Sequence, residues 1–143
     1  MRLDRHRCQD LMRGAERGTL GTVHAERGVD AVPVCFVAEG STVAVPVDTV
    51  KPKRSIGLQR VKNLDADPRA VLLCDHWDAA DWTRLWWVRA SLERVDVDAP
   101  ALDHLATLLS GKYSQYHDRP FADLVVFSVV DLTGWSGERD SGP

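Results

Sequence analysis

The chain has 143 residues, the size of one domain and short for two. Apolar residues make up 44% and charged residues 27%, which supplies a core and excludes a disordered chain. A net charge of −3 lacks the strongly basic footprint that nucleic-acid binding leaves, so nucleic acid is not an expected partner.

The amino terminus, Met1-Arg2-Leu3-Asp4-Arg5-His6, places charges where a secretory signal needs its apolar run. The apolar runs, such as Leu124 to Phe127, are too short to cross a bilayer. A soluble chain of the cytoplasm, with no membrane partner, is expected. Leu3, Cys8, Leu11, Met12 and Ala15 share one face of a first helix, which Gly14 or Gly18 would close. Strands follow at Leu20–His24, Val32–Ala38 and Val43–Val47, joined by turns at Glu26-Arg27-Gly28 and Glu39-Gly40. Pro33 and Pro46 place an edge or a bulge where no ladder donor is needed. Ser55 is suited to cap a second helix that runs to about Asp65 and stops at Asp67-Pro68. Strands at Arg69–Asp75 and Leu85–Val97 come next. A third helix starts at Asp98 and Pro100 and carries a stripe of Leu102, Leu105, Ala106, Leu108 and Leu109. Leu124–Leu132 is the last strand, and the polar, Gly-rich stretch 137–143 reads as a flexible tail behind one domain, 1–136. Six strands with three helices, the first strands at hairpin spacing, predict an antiparallel α+β barrel.

Cys8, Cys35 and Cys74 make an odd number and form no C-x-x-C pair, which argues against a zinc knuckle and for a reducing compartment. Cys35 and Cys74 sit in apolar runs and read as small buried hydrophobes. The window Lys51 to Leu64 holds five cations and no carboxylate in an acidic protein. A phosphate beside a helix start would account for it, because free N–H groups and the dipole already favour an anion there. A solvated basic helix face is the plainer alternative, and the lack of interleaved aromatics weakens a nucleic-acid reading.

Four of the five tryptophans lie between Trp77 and Trp87, in a connection between two strands. Adjacent Trp86 and Trp87 must point to opposite faces of a strand. One can join the core, and the other must cover a partner subunit, a flat ring ligand or solvent. His76 lies among Asp75, Asp78 and Asp81 without a metal-ligand spacing, so no metal is expected. No nucleophile elbow, zincin, Walker A or dinucleotide motif occurs, and no catalytic residue is nominated.

Several motifs occur together: Gly18-Thr-Leu-Gly-Thr-Val23, Val32-Pro-Val-Cys-Phe36, Asp48 with Lys51-Pro-Lys53, Asn63-Leu-Asp-Ala-Asp-Pro-Arg69, Asp81-Trp-Thr-Arg-Leu-Trp-Trp-Val-Arg89 and Lys112-Tyr-Ser-Gln-Tyr116. With them the chain, from about Arg13 to Trp135, resembles the pyridoxamine 5′-phosphate oxidase-like split β-barrel superfamily. Within that superfamily it is most similar to the actinobacterial coenzyme F-420-dependent oxidoreductases. The resemblance implies a six-stranded antiparallel split β-barrel with peripheral helices, working as a homodimer with its cofactor in grooves between subunits. It implies that Arg60 and Lys62 match the basic pair on the cofactor phosphate, with Lys51, Lys53 and Arg54 upstream and Gln59 in the same window. By motif position alone, the resemblance also implies Trp87, Arg89 and Lys112 as residues that could line the groove. The implied activity is hydride transfer between reduced F-420, a deazaflavin, and an unknown small organic acceptor. FMN chemistry on the same fold and non-catalytic flavin or deazaflavin binding are the alternatives. Tyr113 or Tyr116 could donate a proton, although packing is their plainer role.

Overall fold

The computed structural model describes residues 1–48, 56–118 and 121–139. The elements run α1 (Arg5–Gly14), β1 (Gly18–His24), β2 (Gly28–Val34), β3 (Val37–Glu39), β4 (Thr42–Asp48), α2 (Ile56–Ala66), β5 (Arg69–His76), β6 (Trp86–Val95), α3 (Ala99–Lys112) and β7 (Phe121–Ser136). The strands form one sheet in the order β2-β1-β5-β6-β7-β4-β3, with every neighbouring pair antiparallel.

Local chemistry sets most of the boundaries. The Asp4 carboxylate accepts from the Arg7 N–H at 2.8 Å and caps α1. Asp98 does the same for α3 through Ala101 at 3.0 Å, with Pro100 in the first turn, where its missing N–H costs nothing. Gly28 (φ 88°) and Gly40 (φ 58°) turn the β1–β2 and β3–β4 hairpins in a backbone region that side chains disfavour. Helix α2 ends at Ala66, before Asp67-Pro68, because the ring of Pro68 disfavours helical backbone at the residue before it. Pro33 lies in the edge strand β2. Pro46 lies in the part of β4 that pairs with β7 alone.

Three expectations need correction. The described sheet has seven strands rather than six, because the expected strand Val32–Ala38 is cut at Cys35-Phe36. There the Phe36 N–H donates to the Tyr113 hydroxyl (3.2 Å), and the Lys112 ammonium donates to the Phe36 carbonyl (3.0 Å). Side chains from the end of α3 thus take the backbone groups that a ladder would have used. The cut has a large consequence, since β2 and β3 are opposite edges of the sheet. Val34 and Val37 are three residue steps apart, and three steps span at most about 10–11 Å. The two edges must approach that closely, so the sheet curls into an open barrel. Second, α1 begins after Leu3, which is buried and donates its N–H to the Gly134 carbonyl; the helix closes at Ala15, and Gly18 opens β1. Third, β7 runs from Phe121 to Ser136, well beyond Leu124–Leu132, and its end pairs with Trp86. Beyond it, the Gly137 N–H donates to the Leu85 carbonyl and Arg7 pairs with Glu138, so the first residues of the expected tail are tied to the barrel.

Phe36, Phe127, Leu20, Leu72, Val43, Val45 and Val88 fill the barrel. A smaller cluster seats Leu105 and Leu109 of α3 on Val37, Ala44 and Val126. Cys74 is fully buried, and burial pushes its thiol up to about 12. Cys35 departs from the expectation: it is only half-buried and borders a cleft. The outer face of β1, β2, β5, β6 and β7 carries exposed Val29, Val71, Leu73 and Val130. A hollow of about 430 Å³ lies there, and no described helix lines it.

Candidate functional site

The end of α1, the segment leading into β1, Cys35 after β2, and the end of α3 converge on a cleft of about 810 Å³. That size suits a small organic ligand. Arg13, Glu16, Arg17, Cys35, Lys112, Tyr113 and Tyr116 are among its walls. Lys112 is the last residue of α3. Its ammonium sits 3.0 Å from the Phe36 carbonyl oxygen, 4.0 Å from the centroid of the Phe36 ring and 5.2 Å from that of Tyr113. Burial pulls its pKa below the ordinary lysine value, and the nearby thiols of Cys74 and Cys35 oppose that shift. The Tyr113 hydroxyl donates to the Glu16 carbonyl at 2.7 Å. Burial pushes that hydroxyl up to about 12, so it keeps its proton at neutral pH. Tyr113 and Tyr116 meet edge to face at 5.8 Å, and Tyr116 meets Phe121 at 5.5 Å. Arg13 is held by Asp10 at 2.7 Å, whereas Arg17 makes no ion pair among the described residues.

The nine residues singled out in the sequence fall in separate places. Lys51, Lys53 and Arg54 lie outside the described residues. The strand that leads toward them ends at Asp48, which pairs with Phe121, the neighbour of Tyr116 in the cleft wall. Gln59, Arg60 and Lys62 ride on α2; Arg60 is half-buried and Lys62 exposed. The Gln59 amide donates to Asn63 at 2.9 Å. Asn63 is buried and donates to the Thr22 hydroxyl (3.0 Å) and the Asp30 carboxylate (2.8 Å). Arg27 grips the same carboxylate with two bonds of 3.0 Å. The Arg27 guanidinium, and after it Asn63, hold that carboxyl below its ordinary range. Asn63 therefore pins α2 to the β1–β2 hairpin. Asn63→Ala should cost about 1–3 kcal/mol, because the buried Thr22 hydroxyl loses its donor and the partly buried Asp30 keeps only Arg27; urea unfolding measures it, and an unchanged midpoint would refute the pin.

Trp87 and Arg89 lie on the outer face of β6, with the guanidinium 5.4 Å from the Trp87 ring and Trp135 paired opposite Trp87. Trp86 turns inward and packs on the core, as strand alternation requires. Only Lys112 of the described candidates lines the cleft. Arg13, Arg17 and Cys35 of its walls were not anticipated as site residues. Cys35 and Tyr113 belong to motifs of the resemblance, but no spacing tied Arg13 or Arg17 to them.

No family model matches the chain, and no curated protein matches it in sequence. Solved structures do match in shape. An FAD-binding protein from Mesorhizobium loti superposes with a TM-score of 0.70 at 12% identity, over 94% of this chain and 95% of that one. The heme storage protein HutZ from Vibrio cholerae gives a TM-score of 0.66 at 13% identity, over 94% and 98%. A protein from Corynebacterium glutamicum, named a candidate pyridoxamine 5′-phosphate oxidase, gives 0.63 at 11% identity, over 95% and 98%. At these identities the likeness shows the fold: the chain is an α+β split barrel of the kind these structures share. No helix among the described residues is long and apolar enough to cross a membrane.

Proposed function

We propose that this split barrel is a flavin- or deazaflavin-binding oxidoreductase that holds its ring cofactor in the cleft between α1 and α3. One observation carries the reading: a ring-sized cleft with aromatic edges and three cations, Arg13, Arg17 and Lys112, lies beside the strand end that leads into the basic window. The residues fit the group. Tyr113 and Tyr116 offer apolar edges to a planar ring, Lys112 and Arg17 offer donors to its oxygens, and the window containing Arg60 and Lys62 offers charge to a phosphate. The finer reading is coenzyme F-420, with hydride passed to a small organic acceptor, and FMN is the alternative. The cofactor supplies the reactive carbon; the chain binds, orients and shields it.

The exposed outer sheet face, with Val29, Val71, Leu73, Val130 and the Trp87–Arg89 pair, supports a homodimer. The test is a titration of oxidised F-420 by fluorescence, and of FMN and FAD by absorbance, with the mass in solution measured in parallel. Quenching of F-420 with a Kd on the order of micromolar and the mass of a dimer are expected. Binding of FMN alone would select the alternative, and binding without turnover of any acceptor would select a non-catalytic protein. Refusal of all three ligands, or uptake of heme in their place, would end the reading.

A further inference from the structure

Lys112 carries a charge that the described fold does not balance. Among the described residues no carboxylate pairs with it, and its contacts are a neutral carbonyl and two aromatic rings. Removing an ammonium from water without a counter-charge is costly. A lysine in the last turn of a helix has a long stem and can reach solvent instead. Here the carbonyl of Phe36 and the faces of Phe36 and Tyr113 hold it in the cleft wall. The other charges lining the cleft are Arg13, which Asp10 already compensates, Arg17 and the exposed Glu16. The thiols of Cys35 and Cys74 and the phenol of Tyr113 complete its titratable surroundings. A cleft built this way favours an occupant that acquires negative charge.

We infer that Lys112 stabilises the negative charge a flavin or deazaflavin ring gains on reduction, so that the cleft binds the reduced ring more tightly than the oxidised one. This rests on the proposed function above. Uptake of two electrons and one proton leaves such a ring an anion, and a fixed cation at its edge lowers the free energy of that form selectively. A lysine that merely anchored Phe36 would support both ring forms alike.

The experiment measures the affinity of the whole protein for FMN and F-420, each oxidised and after reduction by dithionite, in wild type, Lys112→Met and Lys112→Arg. Methionine keeps the apolar stem and removes the charge. The ratio of reduced to oxidised affinity should fall about tenfold in Lys112→Met, which lowers the midpoint potential of the bound ring by about 30 mV for a two-electron couple. Lys112→Arg should retain most of the ratio. Equal weakening of both forms in Lys112→Met, or loss of the ratio in Lys112→Arg, would overturn the inference and leave the binding reading intact. Wild-type protein that takes up neither ring would overturn both. Should Lys112→Met fail to fold, Lys112→Gln provides the same comparison.

Discussion

Replacing Lys53 and Arg60 together by alanine is expected to weaken binding of the oxidised cofactor by roughly 2–5 kcal/mol, about thirtyfold to a few thousandfold in Kd. The size follows from two charged hydrogen bonds to a phosphate at about 1.5–3 kcal/mol each, with solvent screening favouring the lower end. Arg60 is half-buried on α2, a helix that Asn63 fixes to the barrel, so its guanidinium starts from a restrained base. Lys53 lies outside the described residues, and the double variant therefore tests the window as a unit. Added salt should weaken wild-type binding more than binding by the variant, because the variant has lost charges whose attraction salt screens. Arg60 is only half-buried on α2, so far-UV circular dichroism should not change. An unaltered Kd at low salt would remove the phosphate from this window, although the cleft and the fold would stand.

Phe127→Ala is expected to destabilise the fold by about 3–5 kcal/mol, measured by urea or thermal unfolding. Phe127 is fully buried in β7, the strand that joins the two halves of the sheet. On one side it pairs with Val43 of β4 and on the other with Arg94 of β6. Its ring packs in the same cluster as Phe36, the residue at which the chain crosses from one edge of the barrel to the other. Truncation removes apolar contacts and leaves a cavity that the paired strands cannot easily close. Phe127→Leu keeps much of the volume and should cost clearly less. A loss below about 1 kcal/mol for the alanine variant would mean that the barrel interior is less tightly filled than the buried side chains indicate.

These two residues mark the border between what the chain declares locally and what it does not. The capping role of Asp98, the turns at Gly28 and Gly40, the stop before Pro68 and the opposite facing of Trp86 and Trp87 all follow from a few neighbouring residues. Each depends on backbone preference or on side-chain period, and both are written in adjacent positions. The apolar stripe of α3 is legible for the same reason, and Leu105, Ala106 and Leu109 are buried as that stripe requires.

The cut at Cys35-Phe36 is not legible in this way. Val32–Ala38 has strand-like composition throughout, yet Tyr113 and Lys112, 77 and 76 residues distant, claim the backbone groups of Phe36. The same contacts bring Cys35 and Lys112 together with Arg13 and Arg17 around one cleft. Gly134 gives a second case: a Cβ there would come within 2.6 Å of the Cys8 sulfur, a close approach that no local pattern announces. Periodicity and turn chemistry by themselves determined the helices, most of the strands and their two-faced character, because those depend on short-range sterics and alternation. The seventh strand, the curl of the sheet and the composition of the cleft were decided by tertiary structure, because hydrogen bonds and packing between distant residues outweighed the local preference for an unbroken strand.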